Sequence, residues 1–269
     1  MGITPDQRGT YAMAIRMTNV SKDYRKGCDA RMKALDSINL HVEKGEFICL
    51  LGPSGCGKTT LLNLMAGFEK PTGGSITIND EAIQGPSIRN VTIFQDYGLL
   101  PWRTILGNVE LGLEALGMDR KSRRGVALHY IELVGLYKFC KSHPHQLSGG
   151  MRQRVAIARA LAVDPDILFM DEPFGALDAL TRIKMQDEIT QLWEQKKKTI
   201  VFVTHDIEEA IFLADRIVIM SPNPGRIKSM IPVKMGRKRD RRHPDFLRIR
   251  DRVFEEFELE EKDRTEYRL

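Results

Sequence analysis

Hydrophobic and polar positions alternate at nearly period two over residues 14–24 and again over 34–42. A strand sends successive side chains to opposite faces, so this pattern predicts antiparallel strands with one wet face. The polar stretch RKGCDARMK (25–33) between them predicts a loop. Farther along, the pattern changes to short continuous apolar runs: EFICLL (46–51), ILFM (167–170), TIVFVT (199–204) and RIVIM (216–220). Runs of this length, bounded by turn residues and separated by helical spacing, predict parallel strands buried on both faces beneath covering helices.

Residues 105–140 differ. Val109, Leu111, Leu113 and Leu116, then Val126, Leu128, Ile131, Leu133 and Val134, recur at helical spacing without strong strand runs. They predict a helical subdomain inserted between two parts of an α/β core. Phe246, Ile249, Val253 and Phe257 recur at three- or four-residue steps and predict a C-terminal amphipathic helix. The expected organisation is one α/β domain over residues 1–233. It has a mixed, mostly parallel sheet, an antiparallel β subdomain and a helical insertion at about 96–160, followed by a charged tail over 234–269.

Composition narrows this picture in three places. At 269 residues and 42% apolar content the chain is long enough for one large domain with a real core. Its net charge of +5 permits an anionic or membrane-surface partner without demanding one. The four cysteines, at 28, 49, 56 and 140, have no CxxC spacing, so a reducing compartment fits better than a disulfide or zinc scaffold. The first residues, MGITPDQRGTYAMAI, lack the apolar stretch of a secretory signal, and Gly2 alone is weak evidence for lipidation. No apolar run approaches the length needed to cross a bilayer, so any membrane channel served by this chain belongs to another chain. The tail changes sign: nine Lys/Arg face three Asp over 234–252, and seven Asp/Glu face three Lys/Arg from Val253 onward. A helix packed on its own domain and a tail that binds a partner both fit that pattern.

The chemistry begins at GPSGCGKT (52–59), which follows an apolar run and precedes a helical pattern. That context is what makes G-x-x-x-x-G-K-[ST] a phosphate loop. Gly52, Pro53, Ser54, Gly55, Cys56 and Gly57 let backbone N–H groups wrap phosphates at a helix N-terminus, and Thr60 extends the nucleotide-contacting stretch. Lys58 is expected to reach the β- and γ-phosphates and Thr59 to ligate Mg²⁺. Cys56 reads as a tolerated small residue whose alkylation blocks nucleotide binding and which MgATP protects. ILFMDEP (167–173) brings Asp171 to the end of a buried strand, where a carboxylate holds the hydration shell of Mg²⁺. Glu172, the next residue, can orient and deprotonate an attacking water as a general base. Gln95 follows another short strand, and its uncharged amide can touch Mg²⁺ or water and let go. His205 ends TIVFVT at the strand edge where α/β ligands collect. Ser148, Gly149 and Gly150 open a helix running to Ala162 and leave N–H groups for an anion, although an ordinary N-cap explains them as well. His143 and His145 flank Pro144, but a metal pair there lacks a third ligand.

The order phosphate loop, QLSGGMRQR (146–154) and ILFMDEP resembles the ATP-binding cassette (ABC) ATPases over nearly the whole chain. Several stretches resemble the ATPases of taurine, aliphatic sulfonate and nitrate importers: LGPSGCGKTTLLNLMAGF, FQDYGLLPWRT, DEPFGALDALTR and THDIEEAIFLADRIVIMSPNPGRI. The resemblance implies that Gln95 links the ATP site to the helical subdomain and that His205 contacts the γ-phosphate. It implies that Ser148 and Gly150 touch ATP held by a second, head-to-tail copy, and that Asp178 communicates between the two sites. Tyr24 is the candidate for stacking on adenine, with a core aromatic as the plainer reading. The resemblance further implies two membrane permease subunits meeting Leu100, Pro101 and Trp102, an extracytoplasmic solute-binding protein, and a position at the cytoplasmic face of the inner membrane. A soluble ABC protein acting on nucleic acid or ribosomes, and an efflux or lipid-transport ATPase, are the alternatives. Leu147 follows Gln95 by only 52 positions and there is a single cassette, so nucleic acid is not the expected partner.

Overall fold

The computed structural model describes residues 13–26 and 30–266. The alternating segments pair as an antiparallel hairpin, β1 (Met13–Lys26) and β2 (Ala30–Glu43). Ile15, Met17, Leu40 and Val42 are buried while Arg16, Thr18, Asn39 and His41 face out, as period two requires. The strands run farther than expected, because Tyr24 pairs with Met32 and Arg25 with Arg31 inside the stretch read as a loop. Ladder hydrogen bonds involve only the backbone, so polar side chains do not end a hairpin that has solvent on both faces.

β3 (Phe47–Leu51) leads into α1 (Lys58–Met65). β4 (Gly73–Ile78) and the short β5 (Glu81–Ala82) follow, neither of which the apolar pattern marked. β4 pairs with β1, giving an antiparallel sheet in the order β2-β1-β4-β5. β6 (Asn90–Ile93) enters the second sheet, and three helices then intervene: α2 (Ile105–Ala115), α3 (Arg120–Leu133) and α4 (Gly149–Ala162). The chain returns through β7 (Ile167–Asp171), α5 (Ala179–Lys196), β8 (Thr199–Thr204), α6 (Ile207–Leu213) and β9 (Arg216–Ser221). β10 (Arg226–Pro232), also unmarked by the pattern, turns back antiparallel on β9, and α7 (Pro244–Glu266) ends the described chain. The second sheet has the order β10-β9-β3-β8-β7-β6, parallel from β9 to β6. The observed fold is therefore the expected one: a mostly parallel sheet, an antiparallel sheet and helices inserted between β6 and β7.

Every residue of β3, β7 and β8 is buried. Alternate residues of β3 serve two cores: Ile48 and Leu50 face the antiparallel sheet and α1, and Phe47, Cys49 and Leu51 face the other helices. Side-chain caps hold the helix starts; Thr104, Asp119, Ser148, Asp178 and Asp206 each accept from a backbone N–H in the first turn. The tail is part of this fold, because Phe246 and Val253 of α7 are fully buried in the helix-side core. Phe246→Ala is accordingly expected to cost about 3–5 kcal/mol. Chemical denaturation of the full chain measures this, and a loss under about 1 kcal/mol would contradict the packing of α7 as core.

Candidate nucleotide site

Parallel strands deliver their C-terminal ends to one edge of a sheet, and loops leaving that edge surround a common space. Here those ends carry the phosphate loop after β3, Gln95 after β6, Glu172 after β7 and His205 after β8. The loop closes at Gly57, whose φ of 92° belongs to the left-handed region and where an added Cβ would lie 2.6 Å from Leu35 Cδ2. Only glycine fits both constraints. α1 starts at the next residue, so its free N–H groups face the loop. Lys58 is buried, and its Nζ donates to the carbonyl oxygens of Gly52 (2.7 Å) and Pro53 (3.0 Å). The ammonium is thereby held across the mouth of the loop.

Beside it, the Thr59 hydroxyl donates to Asp171 Oδ1 at 3.3 Å. Burial, with the charge of neighbouring Glu172 adding to it, raises the Asp171 carboxyl above the ordinary carboxylate range. Glu172 has φ 47°, a left-handed conformation that costs a non-glycine residue energy. The surroundings hold it there: its N–H donates to Val203 O (3.1 Å), and its carbonyl accepts from Gly175 N (3.2 Å) and Gln153 Nε2 (3.3 Å). That backbone turn aims the carboxylate off the strand end, where Oε2 lies 3.2 Å from His205 Nδ1.

These groups converge on a cleft of about 540 Å³. Tyr24, Ser54, Gly55, Gly57, Lys58, Thr59, Thr60, Gln95, Glu172 and His205 line it, all expected from sequence. The Tyr24 hydroxyl donates to Glu69 Oε2 at 2.6 Å, and burial together with that carboxylate pushes the phenol's pKa up. Asp171 stands behind the lining and connects through Thr59. Gly52 and Pro53 are not among the lining residues, and their carbonyls serve as acceptors for Lys58. Cys56 departs from expectation: its side chain is fully buried in the core between the sheets, with Sγ 3.9 Å from Lys58 Nζ. The core already shields this thiol, so protection by nucleotide is not what the geometry predicts.

Ser148, Gly149, Gly150 and Asp178 do not line the cleft. They gather at a separate place, where a Cβ on Gly149 would lie 3.9 Å from Ala176 Cβ and one on Gly150 would lie 3.1 Å from Ala176 O. Ser148 and Asp178 are exposed N-caps of α4 and α5. The structure adds Met32, Lys33, Ala34 and Asn223 to the cleft. The first three reach the cleft because β2 pairs Met32 opposite Tyr24, a register within the stretch expected to be a loop, and nothing local marked Asn223. Among the described residues no group of three His, Cys, Asp or Glu could hold a metal ion, and the rings of His143 and His145 stack 5.8 Å apart.

Comparison with known proteins agrees with this architecture. The family model described as "ABC transporter" matches residues 35–175. An uncharacterized ABC transporter ATP-binding protein of Methanocaldococcus jannaschii is 45% identical, covering 92% of each chain. A taurine import ATP-binding protein of Yersinia pestis is 50% identical over 76% of this chain and 80% of its own. An aliphatic sulfonates import ATP-binding protein of Bacillus cereus is 45% identical over 91% and 96%. Among solved structures, a dimeric ABC transporter cassette is similar with TM-score 0.76 and 36% identity, covering 82% of this chain and all of the other. A post-hydrolysis state of that same cassette, bound to ADP and Pi, matches at 0.76 and 35%. With a phosphate loop, a strand-end Asp-Glu pair and a strand-end histidine around one cleft, this chain belongs to the ABC transporter family and is one of its ATP-hydrolysing cassettes.

Proposed function

We propose that the chain is the energising subunit of a bacterial importer and that it works as a head-to-tail homodimer burying two ATP molecules. The observation that carries the dimer is the separation of two groups of residues. Lys58, Thr59, Gln95, Glu172 and His205 meet at the cleft, whereas Ser148 and Asp178, exposed N-caps, and Gly150 in the first turn of α4 lie outside it. A two-fold copy brings the second group over the first, so each site is completed by its partner. The solved relatives described as dimeric cassettes support that arrangement.

In this reading, Tyr24 and the apolar body of Met32 flank the adenine, and the loop amides and Lys58 hold the phosphates. Glu172 accepts a proton from the attacking water, and the 3.2 Å pairing with His205 aims it. Ser148 and Gly150 contact the γ-phosphate across the dimer, and Asp178 links the two sites. The Thr59 hydroxyl and the Asp171 carboxylate are neighbouring hard oxygen donors with Gln95 in the same cleft, a set that suits Mg²⁺ coordinated mainly by water and phosphates. Bound there, Mg²⁺ neutralises charge on the phosphates.

No helix among the described residues is long and apolar enough to cross a membrane. In this reading the solute passes through separate permease subunits. Trp102, 72% exposed, stands beside Leu100 and Pro101 on a segment held by buried Asn108, which bonds both the N–H and the carbonyl of Leu100. We assign the permease contact to this segment. The chain then sits at the cytoplasmic face of the inner membrane, and a solute-binding protein outside delivers the solute. The names of the taurine and aliphatic sulfonate relatives favour a small anion, such as taurine, an aliphatic sulfonate or nitrate. The test is to tag the chain, extract membranes in mild detergent and identify what copurifies. A polytopic permease, with hydrolysis stimulated by a binding protein loaded with one of these anions, is expected. Recovery from the soluble fraction with nucleic acid or ribosomes would overturn the importer.

A further inference from the structure

Three arginines after β10 are set into the fold around α6. Arg237 pairs with Asp215 (2.5 Å) and lies 4.0 Å over the ring of Trp193. Buried Arg239 donates to the carbonyls of Ile211 (2.6 Å), Phe212 (3.2 Å) and Ala214 (2.6 Å), at the C-terminal end of α6. Arg241 lies 4.4 Å over Phe212 and 3.9 Å from Glu208, and its Nη2 donates to Gln186 Oε1 at 2.6 Å. From there a line of side chains runs inward. Gln186 Nε2 donates to Glu209 Oε1 (3.0 Å), and the Thr204 hydroxyl donates to Glu209 Oε2 (2.5 Å). The Asp206 N–H donates to Thr204 Oγ1 (3.0 Å), and the Glu209 N–H to Asp206 Oδ1 (3.0 Å). Gln186, Glu209 and Thr204 are buried.

Thr204 and Asp206 are the two neighbours of His205. The His205 side chain itself is 66% exposed and meets Glu172 at 3.2 Å, so its position follows from how its neighbours are held. A small cavity of about 70 Å³ separates Glu209 from Glu172 and His205, so Glu209 acts through the backbone and does not reach the cleft. The outer end of the line has a definite task. An amide offers an acceptor at one end and donors at the other. With Arg241 donating to its oxygen, Gln186 must turn its NH₂ toward Glu209. Without Arg241 a buried oxygen loses its donor, which loosens the hold of Gln186 on Glu209 and leaves the Thr204 hydroxyl as the other bond to that carboxylate.

We infer that Arg241, through Gln186 and Glu209, is a positioning residue for His205, so that the segment after β10 sets the geometry of the hydrolytic site. This inference rests on the proposed role of His205, whose pairing with Glu172 aims the carboxylate.

The test is steady-state ATP hydrolysis and thermal melting of the full chain and its variants. Arg241→Ala is expected to lower kcat about five- to twentyfold with the KM for ATP within about twofold, and Glu209→Gln to do the same. Because both act along one line, the double variant is expected to be no slower than about twofold below the slower single one. Arg241→Lys, which keeps a donor for Gln186, is expected to recover kcat to within about threefold of wild type. Arg248→Ala, on the same tail with an exposed side chain outside the line, is expected to leave kcat unchanged. Wild-type kcat in Arg241→Ala, or fully multiplicative losses in the double variant, would overturn the inference. If Arg241→Ala fails to fold, Arg241→Lys and Glu209→Gln decide it: failure of the Lys variant to approach wild type, or a full rate in Glu209→Gln, overturns it. His205→Ala run in parallel separates the two levels. A His205→Ala chain that keeps its turnover overturns the reading of His205, whereas its loss of turnover beside an unaffected Arg241→Ala overturns the line alone.

Discussion

Glu172→Gln is expected to cut the rate of ATP hydrolysis by roughly 10²–10⁴-fold, the range contributed by a positioned general base. ATP affinity is expected to stay within about threefold, because the substitution removes an interaction made in the transition state and none made in the ground state. The geometry makes this a clean replacement. The backbone of residue 172 is held at φ 47° by bonds to its N–H and carbonyl, and glutamine retains all of them along with the shape of the side chain. What disappears is the proton acceptor and the charge paired with His205. With hydrolysis blocked, the ATP-bound dimer accumulates, so gel filtration in saturating MgATP is expected to show a dimer where the wild type returns to monomer. A variant that hydrolyses at a wild-type rate would remove Glu172 from the reaction. A slow variant that remains monomeric with ATP bound would break the link between the second copy and the retained nucleotide.

Lys58→Ala is expected to act one step earlier, on binding. The ammonium is buried and held between the carbonyls of Gly52 and Pro53, beside the loop proposed to hold the phosphates. Removing one partner of a buried, hydrogen-bonded charge pair costs about 2–5 kcal/mol, so ATP affinity should fall by roughly 30-fold to several thousandfold. Equilibrium binding of a fluorescent ATP analogue reads this directly. Affinity within about threefold of wild type would place the phosphates away from the loop. The two variants also separate from each other: Glu172→Gln binds and stalls, and Lys58→Ala does not bind.

Much of this site was legible because its parts are local. A buried parallel strand is a short apolar run, and a phosphate loop is a run of glycines between such a strand and a helix, so Lys58, Thr59, Asp171, Glu172 and His205 each carry their own context. The helices between β6 and β7 were legible from their apolar spacing, since they bury one face and wet the other. Other features were not. β5 and β10 pair at the edges of sheets and β4 lies between β1 and the two-residue β5; partial exposure removes the continuous apolar run from all three, and their existence depends on β1 and β9 being in place. Asn223 reaches the cleft from a turn 165 residues away from Lys58, and no local pattern announces such closure.

The chain's own pattern determined which residues carry the chemistry and on which kinds of element they sit, because those choices depend on neighbours within a few positions. Tertiary structure alone decided which way the side chains of the loop turn. The spacing of the loop places Cys56 in the nucleotide-contacting stretch, yet its side chain fills the core between the sheets, a placement set by packing against residues distant in the chain. Tertiary structure also decided that the charged tail is bound. The arginines at 237, 239 and 241 look like a solvated basic run in sequence, but the open carbonyls at the end of α6, the ring of Trp193 and the amide of Gln186 are distant in the chain and adjacent in space. A charge run has no periodicity to distinguish a solvated segment from a buried latch; only the acceptors that meet it do.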